Sequence, residues 1–358
     1  MPLLNLNSTK EVNKYNKFLE RSNAFFTQTI EWGAVKSNWQ QYIVYITDDN
    51  NNIIMSANFL AQKVPVLNIL LLYSPRGLVG DINNKDNVKK LINEVFDVIN
   101  RKKIFCIKFD PLIELKDDLL KKYNTDGFKV RKKVDYTNLI YAKYNMCVDL
   151  KLDNVDAILL SFNQSTRRKI KQAIKDTYKF ISSNETSDLK RFYSLYTKTN
   201  IRKNLSGRNY EYLETMLKSF KQSNIKVCIV SKDGVDLAGS IIIYYNNRVY
   251  YAYGATDTEH DSRNASYFMH WNIIKSAFEN GYEIYDMGVC NVNNVKDGVY
   301  QFKEGFCREK GYFEAIGEID YVVNKFVYTL FIYLVPLMKK LRHALNKILS
   351  NLKSNDKK

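Results

Sequence analysis

The apolar pattern of this chain runs through one plan and starts over near residue 146. Residues 8–21 read as a helix entered through Ser8 and Thr9. Strand-like runs follow at 42–47, 53–64 and 67–73. Over residues 85–101, Val88, Leu91, Ile92, Val95, Phe96 and Ile99 share one helical face. Residues 104–109 read as a buried strand ending at Asp110-Pro111. A short helix, a basic stretch (Arg131, Lys132, Lys133) and a strand running into Val148-Asp149-Leu150 complete the first unit. The second unit reads as helices at about 153–177 and 187–223, then strands at 225–231, 236–245 and 248–254. A helix at about 264–280, a strand at 283–287, the segment around Lys303 and a strand at 311–322 follow. Helix, helix, hairpin, helix and strand thus occur twice. A chain of 358 residues accommodates two domains at roughly 100–200 residues each. The expectation is a mixed α/β protein of two similar units, whose sequences are too different to mark a repeat.

The composition excludes several chemistries. Five cysteines (Cys106, Cys147, Cys228, Cys290, Cys307) are scattered without a CxxC pair, and there are three histidines, His260, His270 and His343. That argues against a disulfide framework, a zinc site and a Ser/His or Cys/His nucleophile. Hydrophobic residues make up 45% and the net charge is +16. A core is therefore affordable in material, and an anionic partner is expected: nucleic acid, phospholipid headgroups or a polyanionic small molecule. Residues 1–22 are too polar for a signal peptide, and no apolar run approaches the roughly 20 residues of a membrane span.

Two segments remain open on this reading. In residues 298–306, Lys303 lies between Phe302 and Phe306 in a run containing Gly298 and Gly305. Aromatic walls would strengthen an ammonium held between them, so that it could meet a developing oxyanion. The plain alternative is an edge strand whose lysine snorkels to solvent. Residues 323–351 form an apolar-then-basic tail, with Val327, Leu330, Phe331, Leu334, Leu337, Met338, Leu341, Leu345 and Ile348 at helical spacing. Pro336 breaks or kinks it. The stripe either docks on the first unit or lies on an anionic membrane.

Six further segments carry a resemblance. Residues 28–36 set Trp32 and Lys36 one helical turn apart, and 73–81 run from a strand end through Pro75-Arg76-Gly77 to Asp81. Lys108-Phe109-Asp110-Pro111 ends another strand. Residues 165–173 are a capped basic helix, 208–212 place Arg208 and Tyr212 on one helix face, and 251–255 centre on Tyr253. In this order, with 300–306, they resemble the Fem-type peptidoglycan aminoacyltransferases, the FemA/FemB/FemX and MurM group, from about residue 20 to about 320. No long coiled-coil arm interrupts 187–223, so the likeness is to the armless FemX-like form.

The resemblance implies two tandem acetyltransferase-like (GNAT-related) domains. The first, precursor-binding, would comprise 1–145 plus 317–358. The second, on the aminoacyl-tRNA side, would comprise 146–316. It implies transfer of an amino acid from aminoacyl-tRNA to the stem-peptide amine of a UDP-linked or lipid-linked muramyl pentapeptide. It also implies no cofactor; a monomer and a cytoplasmic place are expected, with the tail at 323–351 suited to peripheral contact with an anionic membrane. Lys36 and Arg208 match the pair that holds the precursor's diphosphate, where a point charge and a fork of donors suit phosphate. Tyr212 and Tyr253 match aromatic positions of the same cleft. Asp110 matches a cleft-side acid that orients or deprotonates the attacking amine, or else caps the turn before Pro111. Asp81 matches another cleft-side acid, and Arg76 is counted with the substrate-binding residues, its part in the Pro-Arg-Gly turn being mainly structural. Lys303 matches the lysine that meets the oxyanion, and Phe302 its partner at the tRNA end. Residues 167–175 and 131–133 are expected tRNA-backbone surfaces. Cys307-Arg308, after Phe306, departs from the family's glycine-rich continuation.

Two other readings compete. An acyl-CoA-dependent acetyltransferase needs a pyrophosphate-cradling loop, which no strand-to-helix junction here supplies. A non-enzymatic basic protein binding nucleic acid or lipid explains the charge and the tail, but not the ordered Trp/Lys, Arg/Tyr and Phe/Lys sites.

Overall fold

A computed structural model describes residues 3–64, 68–131, 143–260, 264–307 and 311–333. Leu67, Lys132, Lys133, Arg308, His343 and the tail from residue 334 lie outside the described residues. Ser8 opens α1 (Thr9–Arg21) by accepting the Glu11 N–H. A single turn at Phe26–Gln28 leads into α2 (Ile30–Val35). Then come β1 (Gln40–Thr47), β2 (Ile53–Val64), β3 (Ile69–Ser74), β4 (Val79–Gly80), α3 (Lys85–Val98), β5 (Ile104–Phe109), α4 (Asp117–Lys122) and β6 (Phe128–Val130). The plan restarts with β7 (Tyr144–Asp149), α5 (Val155–Ser161), α6 (Gln164–Ile174), β8 (Lys179–Ser183), α7 (Thr186–Arg202), α8 (Tyr210–Ser219), β9 (Ile225–Lys232), β10 (Val235–Tyr245) and β11 (Arg248–Thr256). It ends with α9 (Ala265–Glu279), β12 (Ile284–Val289), α10 (Gly298–Cys307), β13 (Tyr312–Glu314) and β14 (Ile319–Val322).

The strands form two sheets, in the orders β1-β2-β3-β5-β14-β6, with β4 on β2, and β13-β7-β12-β11-β10-β9-β8. Each is mixed, with one parallel pair (β3 with β5, β11 with β12) among antiparallel neighbours. The mixed α/β expectation holds. The expected single strand at 311–322 is in fact two. The chain turns at Gly317, whose φ of +89° suits glycine. β13 then pairs with β7 in the second sheet, while β14 slots between β5 and β6 in the first.

Two long helices expected from periodicity are broken by their own caps. Asn163 accepts the Thr166 N–H at 2.7 Å, and Asn209 accepts the Tyr212 N–H at 3.1 Å. Each starts a new helix. β8 was not expected from sequence. The segment around Lys303 is a helix, not an edge strand.

One core packs Val44, Phe59, Leu72 and Ile107 of the first sheet against Val88, Leu91 and Val95 of α3. A second gathers Phe162, Ile170, Met269, Ile274, Tyr285 and Phe306 on the second sheet. A third lies at the seam, where Trp32 and Val35 of α2 meet Leu213 and Met216 of α8 and Tyr250 of β11. Each such fully buried side chain contributes about 1.5–3 kcal/mol, so the seam is a packed core and not a loose contact. Residues 325–333 are helical. Their inner face docks on the first sheet: Tyr328 is buried against Leu71 and Cys106, and the Phe331 ring lies 5.1 Å from Phe105. The outer face exposes Phe326, Leu330 and Tyr333.

A cleft between the two sheets

Most of the expected site residues fall into two groups, one beside the Trp32 and Tyr253 end of a cleft and one in its lining. The first group is Lys36, Arg208, Tyr212 and Tyr253. Lys36 follows α2, and its Nζ donates to the Tyr212 hydroxyl at 2.9 Å. The ammonium also lies 4.8 Å from the Trp32 ring centre and 5.0 Å from that of Tyr212. The Arg208 guanidinium also packs on Tyr212, 4.8 Å from its ring centre. Tyr253, on β11, hydrogen-bonds with Tyr212 and Arg208. Two cations thus share one aromatic ring. Burial, and then Arg208, pull the Lys36 pKa down to about 8.

From Trp32 and Tyr253 a cleft of about 320 Å³ runs to Lys303, lined also by Phe25, Phe26, Arg76, Asn145 and Asp286. The wall carrying Phe25, Phe26 and Arg76 is built by buried amides. Gln28 donates to the Pro75 carbonyl at 2.6 Å, and its own carbonyl accepts the Asn58 N–H at 2.9 Å. Asn58 donates to the Thr29 carbonyl at 2.8 Å. Gly77 lies so close that an added Cβ would sit 2.2 Å from Ser74 Oγ and 2.9 Å from Gln28 Nε2. These contacts hold Arg76 at φ +56°, a left-handed backbone that a side chain rarely adopts.

Arg76 lines the cleft, as a substrate-binding residue would. Asp110 is set behind it. The carboxyl accepts the Arg76 N–H at 2.8 Å and the Tyr73 hydroxyl at 3.0 Å, and faces the guanidinium at 3.6 Å. It is 2% exposed and does not line the cleft. Burial pushes its pKa up to about 6 against the pull of Arg76. Asp81 stands apart, exposed in the turn before α3, where it accepts the Asn83 N–H at 2.9 Å.

Lys303 is 8% exposed and does not snorkel. Its Nζ donates to the Val289 carbonyl at 2.7 Å. Burial pulls its pKa below the ordinary lysine value, and the Asp286 carboxylate opposes that. Phe302 and Phe306 do not sandwich it. One helical turn apart, they face each other at 5.3 Å, and Phe302 packs on Tyr267 and His270 at 4.9 and 5.2 Å. Both rings anchor α10 to α9, while Lys303 turns into the cleft. His270 is buried, its Nδ1 lies 2.7 Å from the Tyr285 hydroxyl, and burial holds its pKa down at about 3.

Sequence reasoning missed the residues that tie the two ends of the polar wall together. Asn145 on β7 accepts from Arg76 at 3.1 Å and donates to Asp286 at 3.1 Å. Arg248 donates to Asp286 at 3.1 Å. Asn145 and Asp286 are 141 positions apart, and no local signal links them. Of the expected basic surfaces, Arg131 is spent on Glu318 at 3.1 Å. Arg167 donates to the Phe162 carbonyl, and Lys169 to the Tyr267 hydroxyl at 3.0 Å. Arg168, Lys171 and Lys175 remain exposed along α6. All five cysteines are unpaired. Asp257, Glu259 and His260 come close enough to hold a metal ion, but they do not line the cleft, and the buried Asp257 already accepts the N–H groups of the exposed Glu259 and His260 at 2.8 Å.

Two mixed sheets facing across a cleft define a tandem acyltransferase-like architecture. The tandem GNAT protein of the clavulanic acid pathway superposes with a TM-score of 0.53 at 6% identity, over 90% of this chain and 97% of that one. The crystal structure of FemX superposes with a TM-score of 0.81 at 21% identity, over 92% and 99%. The chain belongs to the FemAB family, which it matches over residues 8–233 and 228–335. It is 27% identical to the UDP-N-acetylmuramoylpentapeptide-lysine N(6)-alanyltransferase of Weissella viridescens, over 92% of this chain and 98% of that protein. It is 24% identical to the lipid II:glycine glycyltransferase of Staphylococcus haemolyticus, over 91% and 94%.

Proposed function

We propose that this protein transfers an aminoacyl group from aminoacyl-tRNA to the stem-peptide amine of a peptidoglycan precursor. One observation carries the reading: Lys36 and Arg208, packed on Tyr212, stand beside Trp32 and Tyr253, and those two residues line the same cleft as the buried ammonium of Lys303. The named activities of the alanyl- and glycyltransferase relatives fit that layout. Lys36 and Arg208 hold the precursor's diphosphate, and Tyr212 and Tyr253 floor the site. The stem peptide runs along the cleft to Lys303. There the neutral amine attacks the ester carbonyl, a C–N bond forms and the C–O bond to the ribose breaks. The amine proton ends on the departing ribose hydroxyl. Lys303 stabilises the intermediate oxyanion, a contribution of about 3 kcal/mol for one such donor. Arg76 faces the same space, and Asp110 acts through Arg76 by fixing it. Phe302 shapes the channel by pinning α10. Along α6, Arg168, Lys171 and Lys175 are the cations free of backbone duty for tRNA phosphates.

The place of action is the cytoplasm, at the inner face of the membrane. Among the described residues no helix is long and apolar enough to cross a bilayer. Phe326, Leu330 and Tyr333, exposed beside a basic tail, suit peripheral contact.

The test is direct. Purified protein is mixed with aminoacyl-tRNAs and with UDP-linked or lipid-linked pentapeptide, and the product is read by mass. A precursor heavier by one residue is expected. No product with any aminoacyl-tRNA overturns the reading.

A further inference from the structure

The geometry points to Asp286 as the positioning residue of Lys303, held in place by Asn145 and Arg248. This rests on the proposed role of Lys303. Within β12, Asp286 is 3% exposed and its Oδ1 accepts the Gly288 N–H at 2.8 Å. That contact closes a bulge in the strand at Gly288, whose φ of +77° favours glycine. The bulge presents the Val289 carbonyl to the Lys303 ammonium at 2.7 Å. A Cβ on Gly288 would lie 3.9 Å from Nζ, so the bulge itself forms the wall against which the ammonium sits. The carboxylate therefore acts twice. It shapes the bulge that accepts from Lys303, and it supplies the counter-charge a buried ammonium needs.

The side-chain partners of Asp286 come from the two neighbouring strands. Arg248 of β11 donates to Oδ2, and Asn145 of β7 donates to Oδ1. The other end of the Asn145 amide accepts from Arg76, so a donor and an acceptor fix its orientation. Carboxylate, guanidinium, amide and carboxylate thus alternate from Asp110 to Asp286 across the two sheets. This chain ties Arg76, which lines the cleft, to the strand whose Val289 carbonyl holds Lys303.

Other titratable groups face Lys303 without supplying a fixed charge. Burial pushes the thiols of Cys147 and Cys290 up to about 12 and about 11, and Cys307 well above its ordinary value. His270 on α9 stays neutral. Asp286 is the fixed charge that acts on Lys303, and Arg248 is paired with it at 3.1 Å.

Two variants test this, Asp286→Asn and Arg248→Gln, with Lys303 protonation read by competitive labelling with trace acetic anhydride across pH and mass analysis of the Lys303 peptide. D286N removes the negative charge, so the Lys303 labelling midpoint moves to lower pH. R248Q removes a positive charge and leaves the carboxylate, so the midpoint moves to higher pH. In turnover, D286N lowers kcat roughly 10- to 100-fold, while the precursor KM changes by less than about threefold. Opposite midpoint shifts support the inference. Unmoved midpoints, or D286N turning over at the parent rate, overturn it. R248Q keeps the test decisive if D286N does not fold. Lys303→Met run alongside separates the two claims: if K303M keeps full turnover the catalytic reading has failed, and if only D286N does, the positioning inference has failed.

Discussion

Binding of the precursor should weaken with pH through the range in which Lys36 loses its proton. Burial and Arg208 set that pKa at about 8. With the charged form as the binding form, about ten sites in eleven are competent at pH 7 and about one in eleven at pH 9. Affinity should fall about tenfold, or about 1.4 kcal/mol. A bound diphosphate favours the ammonium, so binding near pH 8.5 takes up a proton. Calorimetry with the UDP-linked precursor in two buffers of different ionisation enthalpy measures that uptake. Lys36→Met should bind more weakly at pH 7 and lose both the slope and the proton uptake. Arg208→Gln should move the midpoint to higher pH, because a like charge has been removed. A wild-type affinity flat from pH 7 to 9, or a slope kept in K36M, would refute the assignment of the diphosphate to this pair.

Two further outcomes follow from buried charge. Lys303→Met should lower kcat by roughly 10²- to 10³-fold with precursor affinity little changed, measured by single turnover and by binding. Arg76→Ala leaves Asp110, 2% exposed, without its counter-charge, at a cost of about 3 kcal/mol. The raised pKa of Asp110 then rises further. A carboxyl whose folded value exceeds its unfolded one binds more protons folded, so the deficit grows as pH rises. Urea unfolding should show a larger loss at pH 8 than at pH 5, and adding Asp110→Asn should flatten that dependence.

Local signals reached far in this chain. Ser8 announced α1, the apolar stripe of 85–101 announced α3, and the doubled plan announced two mixed sheets. The ordered segments from Trp32 to Phe306 pointed to the family, and the structure brings Lys36 and Tyr212, 176 positions apart, to hydrogen-bond distance. The helix at Lys303 was not legible. Gly298, Val299 and Gly305 are poor helix formers. The helix forms because Gly305 lets α10 approach α6, where a Cβ would meet Thr166 Oγ1 at 2.3 Å, and because the Gly305 carbonyl accepts the Asn163 N–H at 2.9 Å. Tertiary packing overrides propensity there. The link from Asp110 to Asp286 was equally hidden, since it consists of polar residues on strands that neighbour one another only after folding. Read alone, Asp110 at a strand end suggested a cleft-facing acid, while its neighbour Arg76 occupies that position.

β14 fixes the order in which a nascent chain can mature. The second sheet is contiguous, from residue 144 to 314, and can close as soon as that stretch leaves the ribosome. The first sheet cannot, although its strands are made earlier. Its gap between β5 and β6 waits for residues 319–322. Until then Lys108, 3% exposed in the finished protein, lacks Glu318 and Asp320, the carboxylates that neutralise it. A chain truncated before residue 318 would keep a sound second sheet and carry an open, charged slot in the first. The wall that holds Asp110 and Arg76 thus closes only once the chain has reached residue 322.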